Sequence, residues 1–161
     1  MLFKPNCKIH RVTDITVEML AERNICGLIL DVDNTLSTHH GMQLVDGLEE
    51  WILKMQRSGI KLIILSNSNN ERVKPFAEKI GLDYISMGLK PLPFGYIKSA
   101  RQMGLKKHNV AIVGDQLFTD SLGGHISGVY TFITDPILPE QMMRFKIKRK
   151  LENCLYRIYK F

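Results

Sequence analysis

The chain predicts an α/β domain, a three-layer Rossmann-like arrangement with one parallel sheet of about five strands and helices on both faces. Two observations predict it. Short continuous apolar runs alternate with stretches of helical periodicity, as expected of strands buried on both sides and joined by crossover helices. The first clear run, Gly27-Leu28-Ile29-Leu30, ends in Asp31-Val32-Asp33-Asn34-Thr35. Two acids at the end of a buried strand need a compensating partner, and the carboxyl edge of an open α/β sheet is where ligands bind.

The elements follow in order. Thr16 is placed to cap a short helix over Val17 to Arg23. The strand Leu28–Asp31 comes next, then a loop through Ser37-Thr38-His39-His40-Gly41. Asp46 is placed to cap a helix to Arg57 that presents Leu48, Trp51, Ile52 and Met55 on one face, with Gly59 as its stop. Ile60–Leu65 reads as a second strand and Asn69–Ile80 as a helix, with Pro75 early in it or kinking it. Tyr84–Ser86, Val110–Val113 and Tyr130–Thr134 read as further strands. Helices from Phe94 to Met103 and from about Thr119 lie between them, and Pro136 and Pro139 precede a basic terminal helix.

The length and the 45% hydrophobic content suit one domain. Residues 1–139 read as that unit, and 140–161 as a basic amphipathic helix that is part of it or appended to it. No apolar run approaches the roughly 20 residues of a membrane span. Met1 to Arg11 lacks the apolar stretch of a cleaved signal. Cys7, Cys26 and Cys154 are scattered, which fits small hydrophobes in a reducing cytoplasm rather than a disulfide framework. Residues 142–161 hold seven of the 22 basic residues and one of the 16 acids, so the net charge of +6 lies in the tail and the body is balanced. On a helical wheel Met143, Ile147, Leu151, Cys154, Leu155, Ile158 and Phe161 form one stripe. Lys146, Lys148, Arg149, Lys150 and Arg157 lie beside or behind it, while Phe145 and Tyr156 fall opposite. Such a helix either packs its stripe on the sheet and solvates its charges or lies on an anionic membrane surface; RNA is the least favoured partner.

Polar signals collect just past the strand ends: Asp31, Asp33 and Thr35; Ser66 in Leu65-Ser66-Asn67; Lys90 in Lys90-Pro91; and Asp115 and Asp120 in Gly114-Asp115-Gln116-Leu117-Phe118-Thr119-Asp120. In a parallel sheet these loops share one edge. Hard carboxylate oxygens suit Mg²⁺, and an ammonium with a hydroxyl suits phosphoryl oxygens. The set points to phosphoryl transfer, where catalysis is mainly positioning and charge neutralisation.

The order of these motifs resembles the haloacid dehalogenase (HAD) superfamily of phosphatases. It is most like the YqeG-type, class IIIA group, which is related to mitochondrial phosphatidylglycerophosphate phosphatases. The strings that carry the resemblance are Asp-Val-Asp-Asn-Thr-Leu at 31–36, Ser-Asn-Ser-Asn-Asn-Glu-Arg-Val at 66–73, Lys-Pro at 90–91 and Val-Gly-Asp-Gln-Leu-Phe-Thr-Asp at 113–120. The resemblance implies that Asp31 is a nucleophile forming an aspartyl-phosphate, and that Asp33 is general acid and then base. It implies Mg²⁺ held by Asp31, the Asp33 carbonyl and Asp115, with Ser66 and Lys90 on phosphoryl oxygens. Thr35, Asn67 and Asp120 would be supporting residues. His39, His40 and His125 are not expected from the family, and His39 and His40 read as a solvent loop.

The intervals from Asp33 to Ser66 and from Ser66 to Lys90 are filled by the elements named above, so no cap domain is inserted. An open site suits a bulky substrate, and phosphatidylglycerophosphate is the first that the resemblance suggests. That reading places the protein in phospholipid metabolism, in the cytoplasm or peripherally on a membrane. The alternatives are a phosphatase of a soluble sugar or nucleotide phosphate, and a non-catalytic membrane- or RNA-binding protein on the same fold.

Overall fold

The computed structural model describes residues 2–38, 42–138 and 143–159. The His39-His40-Gly41 loop, Pro139 and the two ends of the C-terminal stripe lie outside the described side chains. Six parallel strands form one sheet: β1 (Cys7–Lys8), β2 (Gly27–Leu30), β3 (Lys61–Leu65), β4 (Asp83–Ile85), β5 (Val110–Gly114) and β6 (Tyr130–Ile133). Their spatial order is β1-β6-β5-β2-β3-β4. Leu30 is level with Ile64 of β3 and with Val113 of β5, so Asp31, Ser66 and Asp115 emerge together at one edge. The chain winds from β2 outward through β3 and β4, then returns to β5 on the other side of β2. This reversal is the topological switch at which such sheets bind ligands.

The sequence reading held five strands, and the sixth is β1. It has two residues and no apolar run, too little for any periodicity to register. Its pairing with Phe132 and Ile133 is reinforced from Asn6, whose side chain accepts from the Thr131 backbone at 2.9 Å.

Alternation along the strands divides the core into two layers. Leu28 and Leu30 face a cluster with Trp51, Met55, Val73 and Phe76, under α2 (Leu48–Arg57) and α3 (Asn70–Ile80). Ile29 faces the opposite cluster with Ile63, Leu65, Tyr96 and Met103, under α4 (Pro93–Gln102). At the helix starts, Thr16 accepts from Met19 to cap α1 (Val17–Ala21), and Asn69 accepts from Arg72 to cap α3. Asp46 does not cap α2. The cap position is Gly47 at φ +76°, a left-handed backbone that glycine adopts without steric cost. After β5 a single π-helical turn, Leu117–Ser121, leads into α5 (Leu122–Ser127).

The terminal helix α6 (Met143–Tyr159) does not take the first of the two arrangements that its sequence allows. Its stripe does not lie on the sheet: Ile147, Leu151 and Ile158 are 58%, 55% and 63% exposed. The side chains that meet the domain are instead charged ones, Lys148, Arg149 and Glu152, while Lys146, Lys150 and Arg157 stay exposed. Glu152 is fully buried and accepts from the Phe118 backbone at 3.3 Å, and Lys148 donates to Gln116 Oε1 at 2.5 Å. Lys8 lies 4.9 Å over the Tyr156 ring, so Tyr156, opposite the stripe, faces the domain. The ground beneath α6 is polar: the end of β5 and the turn after it present the Asp115 carboxylate, the Gln116 amide and backbone groups, to which Arg149, Lys148 and Glu152 bond. Among the described residues no helix is long and apolar enough to cross a membrane.

Candidate active site

Asp31 follows β2, and its backbone N–H still bonds the Val113 carbonyl at 2.9 Å. The chain then turns sharply. The N–H groups of Thr35, Leu36 and Ser37 all aim at the Val32 carbonyl. This loop needs a left-handed residue at Asn34 (φ +60°), and asparagine is among the few side chains that tolerate it. Asn34 is buried and accepts from the Leu138 backbone at 3.2 Å, which pins the loop to the chain after β6.

Lys90 reaches into the sheet edge and is buried. Its Nζ donates to Asp31 Oδ1 at 2.5 Å and to Asp120 Oδ1 at 2.7 Å. Thr35 donates to the other Asp31 oxygen at 3.3 Å. Asn67 holds Lys90 by its backbone: the Lys90 N–H donates to Asn67 Oδ1 at 2.7 Å, and Asn67 Nδ2 donates to the Lys90 carbonyl at 3.0 Å. Ser66 is buried at the end of β3 and accepts from the Ser68 N–H at 3.1 Å. Asp120 lies against Gly114, where an added Cβ would come within 2.2 Å of its Cγ. Only a glycine there admits the carboxylate.

Burial sets the electrostatics. It pushes the Asp31 carboxyl up to about 7 against the pull of Lys90, and the charges of Asp120 and Asp33 add to the rise. Burial alone would strip the Lys90 charge, but Asp120 and Asp31 outweigh it and hold the ammonium well above its ordinary range. On α6, burial lifts the Glu152 carboxyl and depresses the Lys148 ammonium.

Asp31, Asp115 and Asp120 each offer a carboxylate oxygen within 4.8 Å of the others. Among the described residues Asp115 Oδ1 is buried with no hydrogen-bond partner, an expensive arrangement unless a cation completes it. An all-oxygen set with an orphaned carboxylate oxygen fits a hard divalent ion. The other Asp115 oxygen accepts from Arg149 Nη2, and the Asp115 carbonyl accepts from Arg149 Nη1 at 2.7 Å. The acidic trio thus includes Asp120. The Asp33 carboxylate turns the other way and pairs with Arg72 Nη2.

The edge therefore gathers Asp31, Asp115, Asp120, Lys90, Thr35 and Asn67 by direct contacts, with Ser66 and Asp33 bordering a shared cavity. His39 and His40 lie outside the described residues. His125 bonds the Ser121 carbonyl at 2.8 Å within α5. Two arginines were given no role from sequence. Arg72 stands in the 66–73 string, and its place in the first turn of a helix that follows a site strand was the available signal. Arg149 sat unremarked among the tail's basic residues, because nothing in helical periodicity says that a charged face will be the docked one.

A family model for the haloacid dehalogenase-like hydrolases matches residues 38–128. The chain is 37% identical to the "Probable phosphatase YqeG" of Bacillus subtilis, over 94% of this chain and 88% of that protein. It is 27% identical to the mitochondrial phosphatidylglycerophosphatase GEP4 of Saccharomyces cerevisiae, over 96% and 90%. The crystal structure of a Thermotoga maritima 4-nitrophenylphosphatase shares the fold, with a TM-score of 0.62 over 76% of this chain and 90% of that one, at 12% identity. By sequence and by fold, this chain belongs to the haloacid dehalogenase-like hydrolase family, alongside the YqeG-type phosphatases.

Proposed function

We propose that the protein is a Mg²⁺-dependent phosphate monoester hydrolase that works through an aspartyl-phosphate on Asp31. The observation that carries this reading is the meeting of Lys90, Asp31 and Asp120 beside the orphaned oxygen of Asp115. A cation is fixed on one side of the nucleophile and a cation-seeking carboxylate stands on the other.

Asp31 and Asp115, with the Asp33 backbone, would hold Mg²⁺, which supplies charge neutralisation on the phosphoryl group when bound. The remaining chemistry belongs to the chain. Lys90 and Ser66 hold phosphoryl oxygens and keep phosphorus in line with Asp31. A carboxylate oxygen of Asp31 attacks phosphorus, the ester P–O bond breaks, and Asp33 gives its proton to the departing alkoxide. Water then attacks phosphorus as Asp33 takes its proton, the bond to Asp31 breaks, and inorganic phosphate leaves. Asp120 and Asn67 keep Lys90 in place from its two ends. Thr35 fixes the orientation of the Asp31 carboxylate.

The relative from yeast is named for phosphatidylglycerophosphate, and that lipid is the substrate we put first. The outward stripe of α6 supports a membrane-surface setting: three exposed apolar side chains flanked by Lys146, Lys150 and Arg157 suit an anionic bilayer. The reading is tested by phosphate release from phosphatidylglycerophosphate and from soluble esters, with and without Mg²⁺. Turnover should vanish with Asp31→Asn, and robust residual turnover in that variant would overturn the assignment of the nucleophile.

A further inference from the structure

A cavity of about 470 Å³ opens beside Asp33 and Ser66 and runs over α3. Its lining is part polar, with Asp33, Ser66, Ser68 and Arg72, and part apolar, with Met42, Val73 and Phe76. Arg72 is the one cationic side chain in the lining among the described residues. Its Nη2 donates to Asp33 Oδ1 and its Nη1 to Ser68 Oγ at 3.3 Å. A guanidinium has five N–H donors in a planar fork, so these two bonds do not exhaust a side chain that lines the cavity. Glu71 also lines it, but accepts from Asn69 at 3.1 Å on the exposed side.

Asp33 delivers its proton to the leaving oxygen, so the alcohol half of the substrate departs on the Asp33 side, into this cavity. This step rests on the hydrolytic reading above. Arg72 contacts Asp33, and Asp33 contacts the leaving oxygen. Two hydrogen-bond lengths, about 6 Å, therefore separate the guanidinium from that oxygen. That is the span of roughly two or three carbons.

We propose that Arg72 forms an anion subsite for the leaving alcohol, so that the preferred substrate is a monoester whose alcohol carries a second anionic oxygen group two or three carbons from the scissile bond. The fork of an arginine matches a phosphate or carboxylate in a bidentate way that a lysine cannot reproduce. When that group enters, it takes donors that Asp33 now shares, so correct binding also releases the acid toward the leaving oxygen. The apolar lining residues offer a surface for the remaining carbons of a larger alcohol. The same chemistry is offered by a lipid phosphodiester and by a soluble bisphosphate.

The test compares matched esters on the whole protein with Mg²⁺: propyl phosphate, propane-1,3-diyl bisphosphate and short-chain dihexanoyl phosphatidylglycerophosphate. The wild type should prefer the bisphosphate to propyl phosphate by tenfold or more in kcat/KM. Arg72→Met should bring that ratio to within twofold of unity, and Arg72→Lys should keep only part of it. A lipid preference that exceeds the bisphosphate preference and falls with it in Arg72→Met assigns the subsite to a phosphodiester; equal preferences assign it to any second anion. A preference that survives Arg72→Met, or no preference in the wild type, overturns the proposal. Calorimetric binding of the bisphosphate keeps the two readings apart. If no ester is turned over, hydrolysis fails as the function, while a tenfold weaker Kd in Arg72→Met still upholds the subsite and an unchanged Kd removes it.

Discussion

Arg149, on the last helix, places its guanidinium on both the carboxylate and the carbonyl of Asp115, at the end of the strand next to the one that Asp31 follows. The same guanidinium donates to Glu152 at 2.9 Å. A cation from one end of the chain thus stands on a carboxylate that a divalent ion would also use. The two compete for one oxygen-rich spot. Arg149→Ala should lower the Mg²⁺ concentration for half-maximal activity by about tenfold, the equivalent of roughly 1.4 kcal/mol. It should also lower the melting temperature without metal, because Glu152 is left buried beside an empty space. Metal titration of turnover and thermal melts with chelator check both arms.

Lys90 is the ion-pair partner of two buried carboxylates. Lys90→Met should cost about 3–5 kcal/mol of stability, because breaking a buried pair from one side strands the charges that remain. Turnover should fall by about 10²–10³, as when one donor to a developing oxyanion is removed. Denaturant unfolding and steady-state kinetics at saturating Mg²⁺ separate the two losses.

The Asp31 carboxyl, raised by burial to about 7, gives the metal-free protein a pH slope of definite sign. Unfolded, this group loses its proton near 3.9; folded, it keeps the proton to about 7. Between those values the folded state binds more protons, so the contribution to stability is full below the unfolded value. It is then lost as pH rises toward 7, and it is flat above. Asp31→Asn should remove that part of the slope. Denaturant midpoints at pH 5 and pH 8 with chelator, compared between wild type and variant, measure it.

The space at Gly114 is filled by Asp120. Gly114→Ala should cost about 1–3 kcal/mol as an overpacked position. Its damage should exceed that loss in turnover, since the displaced carboxylate is one of the two that hold Lys90. A kcat that falls no more than that of an equally destabilised core variant would argue against this coupling.

The outward stripe makes a separate prediction. Changing Ile147, Leu151 and Ile158 together to Ser should weaken co-sedimentation with anionic vesicles by more than tenfold, because each large apolar side chain contributes on the order of 1–2 kcal/mol on burial. Turnover of a soluble ester should change little, since none of the three faces the site.

Much of this was legible in the sequence. The parallel sheet and the convergence of Asp31, Ser66, Lys90 and Asp115 follow from apolar runs that each end in a polar residue, because a parallel sheet brings all such ends to one edge. What failed was local or tertiary. Strand β1 is held by pairing with β6 and by Asn6, neither of which leaves a pattern in two residues. Asp46 had the chemistry of a cap, but the backbone reversal at Gly47 took that place. The wheel of α6 correctly separated an apolar stripe from a charged face, yet it could not say which one docks. Arg149, Lys148 and Glu152 bond the Asp115 carboxylate and the polar groups after β5, a surface visible only once the strands are assembled.

The contact of Lys8 with both Asp135 and the Tyr156 ring joins the first strand of the chain to its last helix. Whatever is fused to or trimmed from the amino terminus therefore acts at a distance. Removing the first eight residues would take away β1 and, with it, this contact to the closing helix. Lys8 and Tyr156, far apart in the sequence, thus brace β1 against α6.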